Sequence, residues 1–265
     1  MRESAKNSIK NIKKFFVNKK LKFLINISKK KNTLSKYSTN KPFLPNLRDL
    51  YNLYNNVLIN KRTTVLEFGS GWSTLIFSLA LKEIRDKYLT EAKFLRRNNL
   101  YELFVVESEK KYLNITKKNI RKYNKTHNIK NPIKINFFYS DVQMTTYNNK
   151  ICTEYKKLPL CNPDFIYLDG PGQFGVKKDI NGISTRHKDL MPMASDILKL
   201  EYFLIPGTII VSDGRGANVK FIKDHFKRKW KYIYNKGSDQ HIFRLDDPVL
   251  GKYNKLLLEY YKKRN

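Results

Sequence analysis

The sequence predicts an α/β fold: a doubly wound, mostly parallel seven-stranded sheet with a C-terminal antiparallel hairpin. Three observations predict it. Short apolar, β-branched runs alternate along the chain with segments of helical periodicity. The first run breaks at a glycine turn that opens a helix, and each of the five runs ends at or just before an acid. Two final aromatic-rich runs are joined only by Asn-Lys-Gly-Ser-Asp-Gln, which fits a hairpin rather than a crossover.

Taken in order, residues 1–40 are dominated by lysine, with Glu3 the single acid. Ile9, Ile12, Phe15, Phe16, Leu21, Phe23, Leu24 and Ile27 recur at spacings that a helix gathers into one stripe. Such a basic amphipathic arm can lie on a membrane surface, pack on its own domain, or remain a partly disordered arm. The proline-marked stretch after it sets the domain at 41–265. A helix is expected over 47–59, then the strand 63–68 and a helix from Trp72 to about Tyr88. The charged stretch 88–99 is longer than the connection needs and is expected to be an insertion. Further strands are expected at 103–107, 133–139, 164–169 and 208–213. The helices expected between and after them run through Tyr112 and Ile120, over 193–204, and through Val219 and Ile222. Residues 230–234 and 241–245 form the hairpin.

The acids carry the functional signal. Glu67, Glu107, Asp141, Asp169 and Asp213 fall at or near the carboxyl ends of the five parallel strands. Ligands of doubly wound sheets bind beyond those ends. Five acids lining one crevice repel one another unless a ligand or cation is shared among them. The turn Gly69-Ser70-Gly71, followed by Ser73 and Thr74 as helix caps, lets a ligand approach bare backbone N–H groups at a positive helix end. A carboxylate two residues before the first glycine suits a cationic or hydroxyl-bearing ligand better than a phosphate.

Composition bounds the rest. The chain of 265 residues carries a formal charge of +30, a signature of nucleic-acid or anionic-membrane binding. Lysine far outnumbers arginine, and Asn, Ile, Tyr and Phe are abundant, so the usage of an AT-rich genome is the first explanation. Cys152 and Cys161 are too few for a disulfide framework and lack metal-type spacing with histidine. No apolar run approaches the ~20 residues of a membrane span. Lysines interrupt every apolar run near the N-terminus, as no signal peptide tolerates. The expected location is the cytoplasm.

With these motifs in order, the chain resembles the class I S-adenosylmethionine-dependent methyltransferases. The resemblance covers about 47–245 and rests on Glu67-Phe-Gly69-Ser-Gly71, on Glu107 and Asp141, and on the terminal hairpin. It implies S-adenosylmethionine (SAM) as cofactor. Gly69, Ser70 and Gly71 would cradle its methionine part, with Glu67 facing the ammonium, directly or through water. Glu107, beside Ser108, would accept from the ribose hydroxyls, and Asp141 would meet the adenine. Trp72 would wall the pocket or belong to the core. A nicotinamide dehydrogenase fits less well, because Thr74 stands where its third glycine belongs and Glu107 lies far beyond the ~20 residues its ribose acid needs.

For the acceptor side, Tyr167-Leu-Asp169-Gly170-Pro171 lacks the Asn-Pro-Pro-aromatic signature of enzymes that methylate planar nitrogens. Asp169 and Asp213 are similar instead to the strand-end acids of catechol-type O-methyltransferases. Those acids hold Mg²⁺ or another divalent cation, which lowers the pKa of a substrate hydroxyl. Gly214 replaces the Asn usual in that family, so a metal-free site with Asp169 as base stands beside the metal site. His187 in the following polar loop is a further candidate base. Arg215 can grip a phosphate or carboxylate, or pair with Asp213. Gly170 and Pro171 begin a substrate loop. The expected activity is O-methylation of a small or sugar-like acceptor. Two alternatives are an RNA-directed methyltransferase using the basic arm and a binding module that keeps the fold without chemistry.

Overall fold

A computed structural model describes residues 8–29 and 44–262. Two helices come first, α1 (Ile9–Asn18) and α2 (Lys22–Ser28), and then α3 (Leu47–Ile59). The alternation follows: β1 (Thr64–Phe68), α4 (Trp72–Ala92), β2 (Glu102–Glu107), α5 (Lys110–Thr126) and β3 (Ile135–Tyr139). A hairpin, β4 (Val142–Tyr147) and β5 (Lys150–Tyr155), precedes β6 (Phe165–Leu168) and α6 (Asp196–Leu200). The chain closes with β7 (Ile209–Asp213), α7 (Gly216–His225), β8 (Trp230–Asn235), β9 (Gln240–Leu245) and α8 (Gly251–Lys262).

Seven strands form one sheet in the order β3-β2-β1-β6-β7-β9-β8. The pairs from β3 to β7 are parallel, and β9 runs antiparallel to both β7 and β8. The expected fold class is therefore observed, terminal hairpin included. The order reverses between β1 and β6, which opens a crevice at their carboxyl ends.

Both faces of the sheet are covered, so the central strands read as continuous apolar runs. Val65, Leu103, Val105, Phe165, Ile209 and Val211 pack beneath α1 to α5 and α8. Leu66, Phe68, Phe104, Ile166, Leu168 and Ile210 face the opposite layer of β4, β5, α6 and α7. Because side chains alternate with period two, Glu67, Glu107, Tyr167 and Asp213 share the first of these faces. That alternation aligns the acids toward α3 and α4.

Several details depart from the expected elements. The hairpin β4–β5 was not expected; its turn Tyr147-Asn148-Asn149-Lys150 has two asparagines that both hold positive φ. In this crossover the hairpin takes the place of a helix. The helix expected at 193–204 is shorter, Asp196–Leu200 followed by a 3₁₀ turn Glu201–Phe203. The stretch taken for an insertion starts later, because α4 continues to Ala92, which is fully buried. The C-terminal helix α8 was not expected, although Leu257, Tyr260 and Tyr261 bury at helical spacing.

Within the lysine-rich segment, residues 8–29 pack on the chain's own domain. Ile12, Phe16, Leu21 and Leu24 are buried in the same core as Leu50, Leu53 and Tyr54. The Phe15 ring meets Tyr51 and Tyr54 edge-on at 5.0 and 4.8 Å. Lys19 Nζ and Tyr54 OH both donate to Glu83, and Tyr123 OH donates to Lys19 O at 2.7 Å. The boundary expected near residue 40 lies outside the described residues. Phe16→Ala is expected to cost about 3–5 kcal/mol in urea unfolding, as deletion of a fully buried ring does. A loss below about 1 kcal/mol would mean that α1 is not part of the core.

Candidate active site

The turn after β1 is held by backbone. Gly69 N donates to Val106 O at 2.8 Å, and Asp169 N donates to Phe68 O at 2.9 Å. These bonds clamp the ends of β2, β1 and β6 together. Gly69 has φ +101°, and a Cβ there would lie 3.2–3.3 Å from backbone atoms of Asp169 and Gly170. Glycine is required for both reasons. Gly71 differs: its φ of 173° is extended, and a Cβ would meet nothing within 4 Å. Open space therefore lies against the turn at that point. Thr74, at the place of a third glycine, accepts from Gly71 N at 3.1 Å and caps α4.

Glu67 lies fully buried under this turn. Ser73 Oγ donates to its Oε1, while Oε2 has no partner. Burial pushes its carboxyl up to about 8, against the opposing hydrogen bonds from Ser73 and Thr74. On β2, Glu107 is also buried and raised by burial, with Ser70 opposing. Its Oε2 accepts from Ser70 Oγ at 2.7 Å and its Oε1 from Glu109 N at 2.9 Å. A carboxylate offers about four acceptor positions, so two remain for a diol. Beside it the buried Ser108 Oγ has no partner.

Asp169 follows β6, and its side chain is 51% exposed. Arg215 holds this segment: Nη2 donates to Asp169 O at 2.8 Å and to Pro171 O at 3.0 Å, and Nε lies 3.9 Å from Asp169 Oδ1. The Gly170–Pro171 peptide is cis. Arg215 Nη1 is buried without a partner. The arginine thus pairs with the Asp169–Pro171 corner, where pairing with Asp213 was one expectation. Asp213 accepts from Tyr167 OH at 3.3 Å, and burial followed by the charge of Asp169 raises its carboxyl to about 7.

The remaining expected residues make contacts of their own. Asp141 is half-exposed at the rim, accepting from Tyr139 OH at 2.8 Å with Lys156 Nζ at 3.6 Å. The Tyr139 hydrogen bond holds its carboxyl below the usual range. Trp72 rests against Phe23 of α2, ring centroids 5.6 Å apart, and belongs to the packing of the helical layer. His187 is exposed, and its Nδ1 accepts from Asp189 N within its own loop. Gln173 Nε2 donates to the carbonyls of His187, Lys188 and Leu190 and folds that loop on itself. Among the described residues, no group of three or more His, Cys, Asp or Glu side chains is placed to hold a metal ion. No described helix is long and apolar enough to cross a membrane.

Two residues that the sequence did not flag lie near the crevice. Tyr155, on the overlooked hairpin, packs its ring on Phe68 at 5.5 Å. Its OH has no partner and lies 2.5 Å from where a Gly170 Cβ would stand. Asp49, on α3, is buried with Oδ1 unpartnered. Its carboxyl is raised to about 7 by burial, then by Asp213 and Asp239. The sequence offered no clear signal for it, because Asn52 and Asn56 are also polar and buried on the same helix.

No family model matches the chain, and no curated protein does. Solved structures of similar chain path include proteins described as O-methyltransferases. One, from Staphylococcus aureus and described as a caffeoyl-CoA O-methyltransferase, is 11% identical over 91% of this chain and 93% of its own, with a TM-score of 0.41. The O-methyltransferase from Bacillus cereus in complex with SAH is 12% identical, covering 89% and 97%, at 0.36. TomG from Streptomyces achromogenes in complex with SAM is 10% identical, covering 77% and 82%, at 0.38. These likenesses are weak, and the fold class rests on the strand order and register described above.

Proposed function

We propose that the chain is a class I SAM-dependent methyltransferase acting on a hydroxyl of a small-molecule acceptor. The observation that carries this reading is a set of orphaned buried polar atoms near the carboxyl ends of β1, β2 and β6: Glu67 Oε2, Ser108 Oγ, Tyr155 OH and Arg215 Nη1. Buried polar atoms are normally satisfied, so their grouping beside the open space at Gly71 supports a ligand position there. The residues fit the cofactor. Glu67 Oε2 offers an acceptor for an ammonium, Gly71 leaves room at the turn, and Glu107 keeps acceptor positions for a ribose diol.

SAM, when bound, supplies an electrophilic methyl group on its sulfonium. The chain supplies position and proton transfer. The Gly69–Gly71 turn sets the depth of the pocket. Arg215 fixes the Asp169–Pro171 corner, so the half-exposed Asp169 carboxylate stands at the mouth of the crevice. There it accepts a hydrogen bond from the acceptor hydroxyl and takes its proton as the oxygen becomes nucleophilic. A divalent cation shared by Asp169 and Asp213 would do the same work by lowering the hydroxyl pKa, but no third ligand joins them among the described residues.

Glu107→Ala tests the assignment. Loss of a charged acceptor costs ~1.5–3 kcal/mol, so SAM affinity measured by calorimetry should fall about ten- to 150-fold. An unchanged affinity would remove β2 from the cofactor site.

A further inference from the structure

We infer that the acceptor carries a cationic amine, held beside the reacting position by Asp49 together with Asp213 and Asp239. The inference rests on the proposed methyltransfer, whose acceptor class it names. The charges of three other carboxylates act on Asp49 of α3: Asp213 at the end of β7, Asp239 in the turn before β9 and Asp169 after β6. Their placement is fixed by backbone. Asp213 pairs with Gln240 across β7 and β9, and Gln240 Nε2 donates to Asp49 O at 3.4 Å. Gly214 N donates to Asp239 O at 2.8 Å, and a Cβ on Gly214 would stand 3.1 Å from Asp239 Oδ2.

Asp49 is the member that points to a ligand. It is 9% exposed and its Oδ1 has no partner. The α3 helix packs on the sheet face that also carries Asp213, so this carboxylate is set over the strand end rather than turned to solvent. A capping role does not explain it, because Asn46 Oδ1 already accepts from Arg48 N and Asp49 N. A buried carboxylate oxygen without a partner is costly unless a donor or cation completes it.

The surrounding charge makes the pattern more informative. In a chain of net charge +30, lysines are available to neutralise almost any acid. Among the described residues, the cation acting on Asp49 is Arg48, while Arg215 acts on Asp169 and Asp213 and is engaged by two carbonyls. Tyr167 OH and Tyr234 OH hydrogen-bond Asp213 and Asp239 at 3.3 and 2.7 Å, which orients these carboxylates without neutralising them. An ammonium with three donors suits this set, since it can bridge carboxylates without the fixed coordination shell of a metal ion.

The test uses putrescine and 1,4-butanediol, which share a four-carbon chain and differ in charge. Both are titrated calorimetrically into the full chain with S-adenosylhomocysteine present, and SAM is titrated in parallel. Putrescine should bind and the diol should not. Asp49→Asn and Asp239→Asn should each weaken putrescine at least tenfold while leaving SAM affinity unchanged. Equal binding of the diol, or full putrescine affinity in Asp49→Asn, would overturn the inference. So would displacement of putrescine by Mg²⁺ alone at equal concentration, which would make this a metal site. If SAM binds and putrescine does not, the amine inference fails and the methyltransferase reading stands; if putrescine binds and SAM does not, the reverse holds.

Discussion

Gly71→Ala is expected to leave stability within about 0.5 kcal/mol of the parent and to weaken SAM binding at least tenfold. Its backbone is extended and its added methyl meets no protein atom, so folding is indifferent to it. The same methyl enters the space assigned to the methionine part of the cofactor. Gly69→Ala, two residues away, should behave differently. A side chain at φ +101° with backbone atoms of Asp169 and Gly170 at 3.2–3.3 Å costs about 1–3 kcal/mol of stability. It also spreads the clamp between β1 and β6. Urea unfolding and calorimetry on the two variants separate these effects. Full SAM affinity in Gly71→Ala would place the cofactor elsewhere.

The second large effect is a pH dependence set by Glu67. Its carboxyl, ordinarily near 4.5, is raised to about 8 by burial. The free protein at pH 7 therefore holds it largely protonated. An ammonium bound at Oε2 needs the carboxylate, so binding releases close to one proton below pH 8. SAM affinity should then rise about tenfold per pH unit from pH 6 to 8. Calorimetry in buffers of different ionisation enthalpy reads that proton directly. Stability carries the opposite sign. A carboxyl raised in the folded state contributes stability present below pH 4.5, which is lost as pH rises through about 8. Glu67→Gln removes that loss. It should match the parent in acid and exceed it above pH 8, with ~5 kcal/mol as an upper bound. A flat affinity from pH 6 to 8 in the parent would show that Glu67 does not face the ammonium.

The fold was largely legible because it is written in local signals. Alternating apolar runs, the glycine turn and the six-residue link before β9 each name an element without knowledge of its neighbours. The four strand-end acids Glu67, Glu107, Asp169 and Asp213 were legible for the same reason, since a strand's last residue is a local property. Other features depended on tertiary placement. Asp49 reads as one polar residue on an amphipathic helix until α3 is laid over β7. Tyr155 reads as loop until the β4–β5 hairpin folds it onto Phe68. Trp72, just after the glycines, looks like a pocket wall, but α2 supplies Phe23 and draws it into the helical layer. His187 stands in the loop expected to face substrate, and hydrogen bonds from Gln173 fold that loop on itself. Likewise, the strand-end acids suggest a metal pair on spacing alone, while a third His, Cys, Asp or Glu beside them is a matter of placement, and no such group of three occurs among the described residues.

Titration of SAM into the full chain tests the central claim most directly. One site should be filled, with a Kd in the ~1 μM to 1 mM range typical of enzyme ligands, and S-adenosylhomocysteine should compete for it. No binding at ~1 mM SAM, with the chain folded by circular dichroism, would contradict the account.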